Sequence, residues 1–267
     1  MKRIGLPLWI VSSLLYLFLY APIVVVVVFS FNAARHGGPW IGFTTKYYGV
    51  LLDSPEKILA AKNTFILAFA STAIATVLGT LLGYGLSRYG FPGKKVFSFL
   101  MYIPVVIPDI VMAVAMLMFY ALVRDHLGLF ELGMTTMVIS HVTFQIPFVA
   151  IVVRSRMVGM DPAIEEAAHD LGADSWQTFW HVTFPMILPA VVAGATLAFT
   201  LSLDDFVVSF FTTGPGATTL PILIYSSVKR GITPDINALS TVIVLVSVIG
   251  TLVATLLQRP RRTQGEP

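Results

Sequence analysis

The chain predicts an all-α, polytopic membrane fold: one transmembrane domain over residues 1–267, with six spanning helices and a long polar segment between the fourth and fifth. Three observations carry this. Of 267 residues, 56% are hydrophobic and only 12% charged, where soluble domains carry roughly 25% charged residues. Mean hydropathy is +0.83. Six stretches reach the roughly 20 largely apolar residues that a helix needs to cross a hydrocarbon core; they lie at 8–31, 63–87, 97–123, 133–153, 186–211 and 236–257.

The first stretch, LWIVSSLLYLFLYAPIVVVVVFSF, follows Lys2 and Arg3 as a secretory signal would. It is too long for one, and no small-residue cleavage pattern follows, so it reads as a retained anchor. Pro22 inside it is tolerated in a membrane setting. The segment 32–62 holds GGPW at 37–40 and a short amphipathic piece, FTTKYYGVLL, at 43–52. Its Trp40, Tyr47 and Tyr48 suit a membrane–water interface. After the third and fourth spans, 154–185 is polar. Between the fifth and sixth, 212–235 holds GPG at 214–216 and LPILIYSSV at 220–228. That apolar piece is too short to span, and reads either as a re-entrant or interfacial helix or as a loop packed on its neighbours.

Orientation follows from Lys and Arg. With both termini inside, the inner side holds Lys2, Arg3, Arg88, Lys94, Lys95, Arg154, Arg156, Arg259, Arg261 and Arg262. The outer side holds Arg35, Lys46, Lys57, Lys62, Arg124, Lys229 and Arg230. Ten against seven is a modest margin, but the inner set clusters at span ends, where the rule counts most. Both termini and the segment 154–185 are therefore expected in the cytoplasm.

Several classes are excluded. The chain has no cysteine, hence no disulfide and no thiolate metal site. No basic stripe with interleaved aromatics marks a nucleic-acid surface. No GxxxxGK[ST] phosphate loop occurs, so ATP hydrolysis is not expected in this chain. The five histidines, at 36, 126, 141, 169 and 181, lack metal-ligand spacing. No catalytic, metal or cofactor residues are expected.

The polar segment reads as a compact helical elbow. Asp161 can cap a helix with Pro162 at its first position, which places Glu165 and Glu166 in the favourable first turn. Gly172 ends that helix, and Asp174 or Ser175 caps the next. Phe179, Trp180, Val182 and Phe184 add a hydrophobic patch, and Pro185 and Pro189 mark the start of the fifth span. From composition alone an ordinary amphipathic connector fits equally well.

Residues 165–189, EEAAHDLGADSWQTFWHVTFPMILP, add a resemblance. Glu166-Ala167-Ala168, Gly172 four residues beyond Ala168, and Phe179, Val182, Pro185 and Pro189 resemble the EAA loop of permease subunits in bacterial ABC importers. The resemblance extends over nearly the whole chain. NTFILAFASTAIATVLGTLLGYGLSRY at 63–89, IPVVIPDIVMAVAM at 103–116 and SLDDFVVSFFTTGPGATTLPILIYSSVKRGITPDINALST at 202–241 look like the spermidine/putrescine permeases. It implies that the elbow docks into a cytosolic ATPase subunit. Glu166 would be its polar anchor, Ala167, Ala168 and Gly172 would allow close approach, and Leu171, Phe179 and Val182 would hold it against its own bundle. It further implies a second permease subunit, two ATPase subunits, an extracytoplasmic polyamine-binding protein and residence in the bacterial cytoplasmic membrane.

Independently, ionisable residues inside spans are costly and usually face a bundle interior or pathway. Asp109, Asp204 and Asp205 are the acidic ones, and no lysine or arginine lies inside a predicted span. Such carboxylates attract a polycation and repel oxyanions. Adjacent helical residues point about 100° apart, so Asp204 and Asp205 cannot address one lumen alike. Either both face the pathway in different ways, or one of them instead caps a helix break near Phe206 or binds backbone amides in the outer loop. Asp109, after Pro104 and Pro108, either caps a kinked segment or faces the pathway. Tyr102 and Phe206 are the favoured aromatic pathway positions. Ser140, His141, Thr143 and Gln145 either line the pathway or bond between helices. Other solutes of ABC importers (iron, thiamine, an opine or molybdate) are the alternative, followed by an ion-coupled carrier using Asp109 and Asp204.

Overall fold

The structure, a computed structural model, describes residues 6–34, 38–231 and 233–257. Lys2, Arg3, Arg35, Arg259, Arg261 and Arg262, on which the expected orientation partly rests, lie outside them. Among the described residues the chain is helical, with a single isolated β-bridge between Asn32 and Phe43. The helices are α1 Leu6–Phe29, α2 Lys46–Leu52, α3 Pro55–Arg88, α4 Lys94–Val106, α5 Asp109–Leu127, α6 Met134–Val158, α7 Ala163–Asp170 and α8 Ser175–Thr178. After a π-turn at Phe179–Thr183 come α9 Phe184–Asp204, α10 Val207–Thr212, α11 Leu220–Arg230 and α12 Pro234–Leu257. Five helical stretches are long and apolar enough to cross a membrane, and Pro234–Gly250 is a shorter apolar one. The chain is thus an all-α polytopic membrane protein.

The chain folds as two compact units, one running up to Ile58 and resuming from Leu223 onward, the other Leu59–Ile222. In the first, α12 packs on α1 and α2. Residues 8–29 of α1 are largely exposed apolar side chains, as befits a helix whose solvent is lipid. The following loop is tied by Asn32, whose Oδ1 accepts from the Ile41 amide at 3.0 Å while its Nδ2 donates to Pro39 O at 3.1 Å. Phe31 stacks on Phe43 at 5.3 Å between centroids. Lys57 pairs with Asp235 at 2.5 Å.

The second unit is centred on α6 against α9, through Val149, Val153, Met157, Ile187, Val191 and Ala198. α3 comes close to α6 at Gly79 and Gly83. A Cβ on Gly79 would sit 2.6 Å from that of Val149, and one on Gly83 would sit 2.7 Å from Ala150 O. This is the small-residue spacing that lets membrane helices approach backbone to backbone.

The stretch 97–123, expected as one helix, is two. α4 ends at Val106, Ile107 is extended (φ −70°, ψ 135°), and α5 begins after Pro108. Pro108 has no amide hydrogen to donate, and its ring pushes the preceding residue out of the helical region. Asp109 is therefore the first residue of a new helix, not a residue midway along an old one. The fifth span, in contrast, starts earlier than expected: residues 175–204 are helical without interruption apart from the π-turn. That wide turn lies just before Pro185, whose ring would otherwise clash with the carbonyl four residues back.

Candidate functional site

Two places in the second unit concentrate the residues singled out from sequence. The first is a cavity of about 320 Å³ where α4, α5, α6 and the α9–α10 break meet. It is lined by Asp109 and Met112 of α5, Phe144 and Phe148 of α6, Leu201 and Asp204 of α9, and Phe206 and Val207 beyond the break, with Pro104, Asp205 and Val208 completing the wall. Four of the five expected pathway residues thus share one cavity. Tyr102 does not: two residues before Pro104 on α4, it points elsewhere and is 44% exposed.

The two adjacent aspartates are separated by the helix break itself. Asp205 leaves the helical region (φ −64°, ψ 121°). Its carboxylate accepts from the amides of Val208 at 3.3 Å and Ser209 at 2.8 Å, capping α10. It also lies 3.3 Å from His141 Nε2, so the absence of Lys and Arg from the spans did not leave it without a partner. Asp204, the last residue of α9, is exposed to the cavity. Among the described residues no cationic side chain lies within ion-pair distance of Asp204 or Asp109.

The polar residues of α6 face inward to other helices. His141 is fully buried, with Nδ1 2.8 Å from Ser202 Oγ and Nε2 3.0 Å from Ser209 Oγ. Gln145 donates to Ser71 Oγ at 3.2 Å and to Ala198 O at 3.1 Å, and Ser140 bonds the Tyr120 hydroxyl at 2.7 Å. Thr143 bonds its own helix at Ile139 O. None of the four lines the cavity; the interhelical alternative is the one realised for the three buried ones.

The second place is the elbow between α6 and α9. Asp161 Oδ1 accepts from the Ala163 amide at 3.0 Å and so starts α7. Gly172 has φ +88°, and the Ala173 amide reaches Ala168 O at 3.0 Å while Gly172 reaches His169 O at 2.9 Å. That double closure requires a left-handed residue after the helix, where glycine is unstrained. Asp174 then caps α8 by accepting from Gln177 N at 2.8 Å, and Gln177 Oε1 accepts from Asp174 N at 3.1 Å, a reciprocal capping box.

What ties the elbow down was not legible in the sequence. Glu165 is paired with Arg88 at the end of α3, Nε to Oε2 2.9 Å, and Arg88 Nη2 donates to Oε1 at 3.0 Å. Thr183 of the π-turn donates to the same carboxylate at 2.7 Å. Phe179 packs edge-on against Tyr84 at 5.2 Å, and Val182 is half-buried. Leu171 does not hold the elbow to the bundle as expected; it is 90% exposed, because the closure at Gly172 turns it outward at the tip. Glu166 and Ala167 are exposed too, and Trp176 and Trp180 present an open aromatic pair with centroids 5.7 Å apart. Pro185 and Pro189 are exposed along the start of α9.

Residues 75–259 match the family described as the binding-protein-dependent transport system inner membrane component. The chain belongs to that family. It is 41% identical over 251 residues to the spermidine/putrescine transport system permease protein PotC of Escherichia coli K12, covering 94% of this chain and 93% of that one. To the putrescine transport system permease protein PotI of the same organism it is 40% identical, covering 92% and 89%. The PotC protein of Haemophilus influenzae is likewise 40% identical, over 91% and 93%. Among solved structures, a bacterial ABC transporter that imports the polysaccharide alginate superposes with a TM-score of 0.77 at 22% identity, over 96% of this chain and 95% of that one. The methionine ABC transporter MetNI superposes with a TM-score of 0.64 at 20% identity, over 81% and 98%; both likenesses concern the fold. The family member is thus a multi-pass inner-membrane transport component, with the fold of ABC-importer permeases, and not an enzyme.

Proposed function

We propose that the chain is one permease subunit of an ATP-driven importer that carries polyamines such as spermidine or putrescine into the cytoplasm. The observation that carries this is the cavity where Asp109 and Asp204 stand, among the described residues, without a cationic partner beside Phe144, Phe148 and Phe206. Two carboxylates in a partly apolar wall suit the ammonium groups of a flexible amine, and aromatic faces attract its charge as well as its methylenes. Phosphate, sulfate and molybdate would be repelled by the same pair. The high identity to polyamine permeases over nearly the whole chain supports the same solute class.

In this reading a second permease subunit completes the pathway, an extracytoplasmic binding protein delivers the amine, and two cytosolic ATPases drive the cycle. The segment 154–185 faces the cytoplasm together with both termini. Closure of the ATPase pair pushes on the exposed elbow face, where Glu166 supplies the polar anchor and Ala167, Ala168 and Gly172 permit close approach. Leu171 and Trp176 at the tip insert into the ATPase groove. Glu165 with Arg88, and Phe179 with Tyr84, pass the displacement to α3, while the uninterrupted helical path from 175 to 204 passes it to Asp204 at the cavity.

The test is the reconstituted four-component complex in liposomes, measuring ATP hydrolysis and labelled-amine uptake with and without spermidine-loaded binding protein. Spermidine-stimulated hydrolysis and uptake, with uptake lost in Glu166→Ala, is the expected result. Stimulation only by iron, thiamine or an oxyanion would sink the polyamine reading and keep the importer. Uptake independent of ATP in an intact complex would sink both.

A further inference from the structure

A second cavity, of about 710 Å³, opens where the α3–α4 connection meets α6, and the transport reading makes no use of it. Its lining includes Phe91, Gly93, Lys94, Lys95, Ser98 and Arg154. All three cations sit at helix ends: Lys94 and Lys95 open α4, and Arg154 lies in the last turns of α6. Helix ends of spans are where lipid head groups lie. Among the described residues no carboxylate is within ion-pair distance of any of the three. The contrast with Arg88 is direct, because that guanidinium takes Glu165. Arg154 is half-buried, and the acceptor within its reach is the Ser98 hydroxyl, 3.5 Å from Nη1, the outer limit of a hydrogen bond.

Two further features favour an anion there. Gly93 precedes α4 with φ +85° and offers no side chain to cap it; the Lys94 and Val96 amides donate to Phe91 O and Gly93 O, and the 13-residue helix adds the partial positive charge of its N-terminal end at the cavity. Beyond the cations α4 displays Val96, Phe97, Phe99 and Leu100, all exposed, a surface matched to acyl chains. These four are centred on the side of α4 away from Ser98, and Phe99 adjoins Lys95 and Phe97 adjoins Lys94 around the helix, so a phosphate on the cations can run its hydrocarbon down those edges.

We propose that this cavity is a binding site for the phosphate of an anionic phospholipid. Lys94, Lys95 and Arg154 hold the phosphate, Ser98 donates its hydroxyl to a phosphate oxygen, and the acyl chains lie on the apolar face of α4. A basic cleft between spans at the membrane surface is a recognised means of selecting acidic lipids, with each lysine or arginine near the surface contributing about fivefold in affinity.

The full-length chain, purified in detergent and mixed with equal amounts of phosphatidylglycerol and phosphatidylethanolamine, is read by native mass spectrometry for retained lipid. One phosphatidylglycerol kept in preference to phosphatidylethanolamine is expected. Lys95→Gln should weaken that retention about fivefold, and Lys94→Gln with Lys95→Gln about 25-fold. Arg154→Lys should keep most of it. Lys95 is exposed, so its variant reads the site even if substitution at Arg154 impairs folding. Equal retention of the two lipids, or unchanged preference in the double variant, would overturn the proposal. Displacement of the lipid by inorganic phosphate at equal concentration would also overturn it, by making free phosphate the ligand.

Discussion

Asp204 and Asp205 differ by one position and take opposite roles, because the chain leaves the helix between them. Asp205 commits its oxygens to the amides of Val208 and Ser209 and to His141, while Asp204 is left facing the cavity. Asp205→Asn should therefore lower stability by about 2 kcal/mol, seen as a reduced thermal midpoint in detergent. Asp204→Asn should leave the midpoint in place and reduce amine uptake at least tenfold. Equal effects on stability would dissolve the distinction. His141→Phe takes the imidazole partner from Ser209 Oγ and one of several contacts from Ser202 and from the Asp205 carboxylate, at a cost of about 2 kcal/mol; an unchanged midpoint would show that the network contributes nothing. At the elbow, Glu165→Gln breaks a partly buried ion pair and should loosen the elbow by about 2 kcal/mol. Glu166→Ala removes an exposed side chain and should spare the fold. The sequence shows both glutamates in a first helical turn, but only the fold brings Arg88 to one of them.

At the scale of elements, two kinds of boundary were legible and one was not. Asp161, Gly172 and Asp174 announce helix starts and stops because capping is local chemistry, settled within about four residues. Their structural roles agree with the sequence reading, with Asp174 rather than Ser175 taking the second cap. Pro104 and Pro108 mark where the helix can part near Ile107, but the hydrophobic length of 97–123, interrupted only by Asp109 among charged residues, is that of a single span. The approach of α3 to α6 depends on Gly79 and Gly83, where a Cβ would collide with Val149 and the Ala150 carbonyl. Gly83→Val should separate these helices and cost about 3 kcal/mol, by overpacking against backbone that cannot move aside. Gly85→Val, on the same helix with open space around it, is the control. A thermal melt that fails to separate the two variants would refute the close-contact role.

At the scale of the whole molecule, a permease subunit whose elbow receives a separate ATPase, as proposed above, has consequences for the purified chain. Leu171, Trp176 and Trp180 are exposed large apolar side chains of the elbow, the two tryptophans paired, and exposed apolar surface of this kind marks interaction sites. Purified alone, the chain should hydrolyse no ATP, and addition of the ATPase subunits should protect the 161–180 backbone from hydrogen exchange; no protection there would remove the elbow from the coupling role. The sequence by itself determined that this is a bundle of membrane helices, roughly where its apolar stretches lie and where the elbow caps fall. Spanning a bilayer demands about 20 apolar residues in a row, and capping acts over one turn, so both are written in contiguous sequence. Only the tertiary structure decided which acidic residues meet in a cavity, that Glu165 and not Glu166 anchors the elbow to α3, and that Tyr102 and Leu171 point elsewhere. Those outcomes depend on which helix faces come together, and residues as far apart as Asp109 and Asp204, or Arg88 and Glu165, share no local signal that could report it.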